Sequence, residues 1–303
     1  MKIVIAGGSG FLGSALVRRL VRDGHAVAVL TRDSSRAVPS IPGTVPRLWW
    51  DGLNVGPWSA VIDGADAVVN LTGQDIGKQR WTRARKDQIR RSRVMSTDAL
   101  VHAIRRAASR PEVFINVSAV GYYGATGNDV VTEGHRPGTG FLAGVTVAWE
   151  ASARMAATLG VRVVLLRSGI VLGKGGGVLA KMTVPYRLYV GGKLGSGRQW
   201  IPWVHIDDFI EVILKVIQTP SLIGPINVVS PGIVRMDEFS AVLARVLDRP
   251  LWAHVPSIVL RLIFGEMAST VLTGQQAVPE VLNRSGFRFR YQSLATALRQ
   301  IFG

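Results

Sequence analysis

Cysteine is missing altogether from the 303 residues, which excludes disulfide staples, thiolate nucleophiles and thiolate metal sites together. Long apolar runs are missing too. Apolar residues make up 48% of the chain, yet no unbroken stretch nears the roughly 18 to 20 needed to cross a bilayer. The sequence begins on an apolar strand, where a secretory leader would carry a basic segment, an apolar core and a cleavage site. A soluble, cytoplasmic protein with no membrane partner is expected. The five histidines, at 25, 102, 135, 205 and 254, lack metal-ligand spacing, so no metal is expected. Acidic residues are few, 20 against 36 basic ones, which leaves a net charge of +16. Lysine is also scarce: seven lysines stand beside 29 arginines. The densest basic cluster, Arg80 to Arg93, falls on a predicted helix and lacks the interleaved aromatic platforms of single-strand binders. A pocket for an anionic ligand, or a general arginine bias, therefore accounts for the charge better than nucleic acid does.

What is present is a strand, a glycine turn and a helix at residues 2–20. Ile3-Val4-Ile5 runs into Gly7, Gly10 and Gly13, and an amphipathic helix follows through Ala15, Leu16, Val17 and Leu20. In this G-x-x-G-x-x-G spacing the first glycine permits a tight turn. The second lets backbone approach a pyrophosphate, and the third allows helix and strand to pack closely. The unpaired N–H groups at the helix start face the anion. Gly7, Ser9, Gly10, Phe11, Leu12 and Gly13 are the expected contacts of a dinucleotide.

A second strand, 26–30, ends at Thr31-Arg32, with Arg36 nearby. An acidic residue here suits the ribose 2′-hydroxyl of NAD, whereas arginine suits a 2′-phosphate. NADP(H) is the expected cofactor, although Asp33 follows directly and a solvated loop arginine is the alternative. Residues 34–59 are rich in Pro, Gly and Ser, so the next helix looks shortened or missing, with Trp49-Trp50-Asp51 as a short edge strand. The apolar strand 67–71 ends in Thr72-Gly73-Gln74, beside the glycine turn, where an open parallel sheet binds its ligand; Leu71, Thr72, Gly73 and Gln74 are candidate contacts. A long helix, 82–108, leads to strand 113–117 with Ser118 at its end, then to helix 140–159 and strand 162–166. This alternation specifies an α/β, Rossmann-type doubly wound parallel sheet over residues 1–173. Past 174 the alternation breaks. Glycine-rich loops at 174–177 and 191–197 read as a cover for a substrate. Strand 226–229 and other parts of 200–230 complete the sheet. The rest of 174–303 forms a smaller substrate lobe with a tail of helices at 258–271 and 293–301 around a strand-like Arg-Phe-Arg-Tyr at 288–291.

Gly-Gly-Ser-Gly-Phe-Leu-Gly at 7–13, Val-Ser-Ala-Val-Gly-Tyr-Tyr-Gly at 117–124, Leu-Arg-Ser-Gly-Ile-Val-Leu-Gly at 166–173 and Trp-Val-His-Ile-Asp-Asp at 203–208 together resemble the extended short-chain dehydrogenase/reductases, which include nucleotide-sugar epimerases and dehydratases. Asn-Leu-Thr-Gly at 70–73, Arg-Trp-Thr at 80–82, Gly-Gly-Lys-Leu-Gly-Ser-Gly at 191–197 and the Leu-Thr-Gly-Gln-Gln…Pro tail at 272–279 narrow the resemblance to the atypical NADP-binding "epimerase family" branch. It implies that Gln88 and Arg93 approach the cofactor and that Ile170 and Val171 line the nicotinamide. Active members carry a Tyr-x-x-x-Lys pair on the helix after the serine strand. Here that helix reads Phe141-Leu142-Ala143-Gly144-Val145-Thr146-Val147-Ala148-Trp149-Glu150, and neither residue is present. Ser118 is left as a donor to a substrate carbonyl and to the cofactor, with Tyr123, or Tyr122, as a substitute acid; the alternative is that both tyrosines only pack around the cofactor. The same resemblance makes His205 a structural joint, with Asp207 or Asp208 capping the next helix. The expected activity is an oxidoreductase acting on a small carbonyl or sugar-like substrate. A catalytically silent NADP(H)-binding sensor or docking module, or a nucleotide-sugar epimerase, are the alternatives, and a homodimer is the expected assembly.

Overall fold

The computed structural model describes residues 1–35, 38 and 41–303; Arg36 lies outside the described residues. Seven parallel strands form the central sheet: β1 Lys2–Ala6, β2 Ala26–Thr31, β3 Arg47–Trp49, β4 Ala67–Asn70, β5 Val113–Ala119, β6 Arg162–Ser168 and β7 Gly224–Val228. Their spatial order is β7-β6-β5-β4-β1-β2-β3. The edge strand β3 lies two residues earlier than Trp49-Trp50-Asp51 because Trp49 pairs in register with Thr31, which leaves Trp50 to turn inward and become buried. Among the described residues no helix separates β2 from β3.

Side chains alternate across the strands, and both faces are covered. Ile3, Ile5, Val69 and Ile115 pack toward α1 (Phe11–Arg22) and α5 (Ile206–Gln218). Val4, Val68 and Phe114 pack toward α2 (Arg83–Arg106), with Leu100 and Ile104 of that helix and Trp50 and Trp58 completing the layer. Burial on both sides is why these strands read as continuous apolar runs and not as alternating ones. Thr82 starts α2 by accepting the Arg85 N–H at 3.1 Å, the usual role of a threonine N-cap.

A third core joins α4 (Gly177–Arg187), α6 (Met236–Leu247) and the last helix, Leu294–Phe302, through Leu179, Phe239, Leu243, Leu298 and Ile301. The expected helix over 258–271 is broken: α7 covers Ser257–Phe264 and stops where Gly265 takes φ 59° and ψ −137°, a positive-φ conformation outside the helical region that glycine adopts readily. The expected strand at 288–291 does not form. The Asp208 carboxylate accepts the N–H groups of Arg290 and Tyr291 at 2.8 and 3.0 Å, so these donors are satisfied without a strand partner. Among the described residues no helix is long and apolar enough to cross a membrane.

Candidate functional site

The strand order reverses between β1 and β4, and the cleft opens at the C-terminal ends of these strands, as such a switch point requires. Gly7 turns the chain at φ 79°, and a Cβ there would lie 3.1 Å from the backbone carbonyl of Leu71. Gly13 is tighter still: a Cβ would sit 2.3 Å from the Gly7 oxygen and 2.5 Å from the Gly8 Cα. Only a hydrogen at position 13 lets α1 begin against the turn. The helix has no side-chain cap and no acidic residue in its first turn, so its leading N–H groups stay open toward an anion.

Two cavities run along this edge. The first, about 770 Å³, is lined by Gly7, Ser9, Gly10, Thr31, Arg32, Leu71, Thr72, Gly73 and Gln88 among others. The second, about 1070 Å³, is lined by Phe11, Leu12, Gly73, Arg93, Ile170 and Val171, together with Trp81, Phe141, Leu142 and Leu272. Gly73 and Gln74 belong to both, which makes one continuous cleft. Every residue expected to touch a cofactor lines it except Gly13, which works through packing, and Ser118.

At the end of β2 the Ser9 and Thr31 hydroxyls meet at 3.1 Å. Arg32 is exposed beside them and makes no hydrogen bond or ion pair among the described residues. Thr72 is held from below. The Asn70 side-chain oxygen accepts its N–H at 3.1 Å and its hydroxyl at 2.6 Å, while the Asn70 amide donates to Asn116 at 2.7 Å and Thr97 at 2.9 Å. Asn70 and Asn116 are register partners on β4 and β5. The two buried asparagines in otherwise apolar strands were a sequence signal for this support, and sequence reasoning overlooked it.

Arg85 and Arg93 project from α2 onto the loop after β4. Buried Arg85 donates to the Gln74 and Gln88 side chains and to the Asp75 carbonyl. Arg93 donates to the carbonyls of Ile89 at 3.2 Å and Gln74 at 3.1 Å and lies over the Trp149 ring at 5.3 Å. Neither forms an ion pair among the described residues. Burial, then the neighbouring Arg85 charge, pulls the Arg93 guanidinium down to about 10. Two of its five N–H donors are used, and the guanidinium lines the second cavity where the two cavities join.

The expected catalytic pair requires correction. Ser118, Arg167 and Asn227 are register neighbours across β5, β6 and β7, and the Arg167 guanidinium draws the polar groups around it inward. Arg167, 1% exposed, binds Glu150 of α3 (Phe141–Arg154) through two bonds of 2.8 and 2.9 Å. It also donates to the Tyr123 hydroxyl at 3.0 Å and lies 3.5 Å above the Tyr122 ring. Ser118 donates to Glu150 at 2.8 Å, and Tyr123 to Asn227 at 2.7 Å. Neither Ser118 nor Tyr123 lines either cavity. Burial raises the Tyr123 hydroxyl, with Arg167 opposing, and although burial lowers Arg167, Glu150 and Tyr123 together raise it above the ordinary value, so both keep their protons. The serine and tyrosine hydroxyls are parts of a buried ionic joint, not groups presented to a substrate. Arginine at the end of the apolar run 163–166 was the missed signal, because a buried guanidinium demands a buried carboxylate.

The two glycine loops also part ways. Phe11, at the head of α1, rests on the first: Cβ atoms at Gly173 and Gly176 would lie 2.8 and 2.3 Å from its ring, and Gly177 and Val178 line the second cavity. The second loop, expected as a cover, lines neither cavity. Gly192 instead pairs with Ala253 in a short parallel ribbon, where a Cβ would meet the Ala253 oxygen at 2.1 Å.

His205 is itself the N-cap of α5, in place of Asp207 or Asp208: its Nδ1 accepts the Asp207 N–H at 3.2 Å, and Nε2 meets Gln300 at 2.9 Å. Burial holds its ring below the ordinary 6.5, with Asp207, Gln300 and Asp208 opposing and Arg290 assisting. The folded ring takes up its proton at lower pH than the ring of the unfolded chain, which binds one below pH about 6.5. Acidification through that range therefore costs stability. Thermal melts between pH 7.5 and 5.5 are expected to fall less steeply in His205→Gln than in the parent; the opposing contribution of Asp208, raised by burial, is present in both. Equal slopes would remove His205 from the pH dependence.

The sequence profile of the NAD dependent epimerase/dehydratase family matches residues 3–230, and that of a domain of unknown function (DUF1731) matches 255–301. The chain is 39% identical over 306 residues to the chloroplastic epimerase family protein SDR39U1 homolog of Arabidopsis thaliana, covering 99% of this chain and 86% of that one. It is 38% identical to epimerase family protein SSP1921 of Staphylococcus saprophyticus, covering 98% of each. The crystal structure of human epimerase family protein SDR39U1 (isoform 2) with NADPH superposes with a TM-score of 0.87 at 31% identity, over 99% of both chains. With its glycine turn at the switch point of a seven-stranded parallel sheet, and matched along nearly its whole length, the chain belongs to the NAD dependent epimerase/dehydratase family.

Proposed function

We propose that this protein binds NADP(H) along the cleft and transfers hydride to or from a small carbonyl or sugar-like substrate held in the second cavity. The observation that carries the reading is Arg32: a guanidinium without a bonded partner among the described residues, beside the Ser9–Thr31 hydroxyls, in a cavity that begins at the glycine turn. The N–H groups opening α1 receive the pyrophosphate, Arg32 the 2′-phosphate, and Ile170 and Val171 flank the nicotinamide end. The NADPH in the human relative's structure supports the assignment. When bound, the dinucleotide supplies the hydride; this chain's own residues bind, orient and exclude water. Replacing Arg32 by alanine is expected to weaken NADPH binding about ten- to a hundredfold, the worth of a charge-assisted phosphate contact, and to leave NADH affinity unchanged. Titration of cofactor fluorescence measures both, and an unchanged NADPH affinity would remove Arg32 from the site.

A second reading, a silent NADP(H)-binding module, is favoured by the Arg167–Glu150 joint, which withholds Ser118 and Tyr123 from the cleft. The absence of turnover across a carbonyl and sugar panel, with NADPH bound, would select it.

A further inference from the structure

Among the described residues no tyrosine, histidine, lysine or cysteine side chain lines either cavity. The second cavity holds two carboxylates, and both are ion-paired: Asp75 to Lys181 at 2.5 Å, and Glu266 to Lys86. Although burial opposes it, the Lys181 contact and the Gly77 N–H hold Asp75 below the ordinary carboxylate range, so it stays ionised. Apart from the Arg93 guanidinium, which burial lowers to about 10, no acid here is placed to deliver a proton to a carbonyl oxygen as it gains negative charge. Arg93 is bonded to the Ile89 and Gln74 carbonyls, so Arg261 of α7 is the one charged side chain of this cavity without a bonded partner among the described residues. Serine, threonine and glutamine side chains line part of the rest, and one face is apolar and ringed: Trp81 and Phe141 stand edge to face at 5.0 Å, with Leu142, Val171, Trp200, Pro202 and Leu272 around them.

These three features select a substrate class. We infer that the second cavity takes a flat, conjugated hydride acceptor bearing an anionic group, of the isoalloxazine phosphate kind, with its ring against the Trp81–Phe141–Leu142 wall and its anion toward Arg261. Such an acceptor spreads the added electron pair over its own ring. The hydride from the dinucleotide forms one new N–H or C–H bond, the acceptor becomes its delocalised anion, the dinucleotide is left oxidised, and the step closes with no proton drawn from the protein. A simple ketone has no such reservoir and would have to draw its proton from solvent or from Arg93. The inference rests on NADP(H) binding as proposed above.

The test separates the two. NADP⁺ is first titrated by tryptophan fluorescence, and the saturated protein, which cannot reduce a flavin, is then titrated with flavin mononucleotide and with riboflavin by flavin fluorescence quenching. The mononucleotide is expected to bind about tenfold more tightly than riboflavin, as one charge-assisted contact allows. Arg261→Ala, an exposed helix position, is expected to bring the two together while leaving NADP⁺ affinity unchanged. Native protein that binds NADP⁺ but neither flavin, or both flavins equally, overturns the inference and leaves the cofactor reading standing. Failure to bind NADP⁺ overturns both.

Discussion

Glu150→Ala is expected to lose about 3–5 kcal/mol of folding stability, the cost of stranding a buried cation. The Arg167 guanidinium would keep its place between β5 and β7 but lose the carboxylate that takes two of its donors, and Ser118 would lose its acceptor. Against a total stability of roughly 5–15 kcal/mol, that is enough to leave the protein marginal. Chemical denaturation measures it. Glu150→Gln separates shape from charge and is expected to fall between the parent and the alanine variant. Pairing Glu150→Leu with Arg167→Met is expected to recover much of the loss, because the desolvation penalties disappear along with the attraction. A loss below 1 kcal/mol in Glu150→Ala would show that the joint contributes little. Dinucleotide affinity is expected to survive wherever the fold does, since none of these side chains lines the cleft.

The second large effect lies in the glycine turn. Gly13→Ala places a methyl 2.3 Å from the Gly7 oxygen, a backbone contact that no rotamer relieves. Helix α1 must move away from β1, which is expected to lower stability and to cut NADPH affinity by about a hundredfold or more, as an ångström of misplacement does elsewhere. Gly10→Ala is the contrasting case. Its nearest obstacle is the same oxygen at 3.3 Å, so the fold is expected to hold while the new methyl narrows the anion's approach. Calorimetric titration with thermal melts distinguishes them: Gly13→Ala loses both properties, Gly10→Ala chiefly binding. Full NADPH affinity in Gly13→Ala would overturn the account of this turn.

The cofactor half of the site was legible early because its determinants are local. A strand, a glycine turn and a helix start are adjacent in sequence, and the spacing of Gly7, Gly10 and Gly13 encodes their close approach directly. The position of Arg32 on the cleft was legible for the same reason, as the residue that follows a strand whose end must lie beside the turn. The doubly wound parallel sheet followed from the alternation of apolar runs with helices, and β7 was found although it returns from beyond residue 174, whereas the spatial order of the strands came from the structure.

The rest was decided by pairings far apart in the chain. Ser118 looked available because it ends a strand at the cleft edge. Its hydroxyl turned away because β5, β6 and β7 align Ser118, Arg167 and Asn227 side by side, beneath a carboxylate 32 residues further along. Tyr123 was claimed by Asn227, 104 residues away. The 191–197 glycines served a ribbon partner near 253, and the 288–291 segment was tied by Asp208. The sequence by itself determined the local frame: the strands, the phosphate turn and the class of cofactor. Only the tertiary structure decided which polar groups face the cleft and which are consumed in the core, because a buried charge takes whichever partner the strand register brings within reach, and register is a property of the assembled sheet.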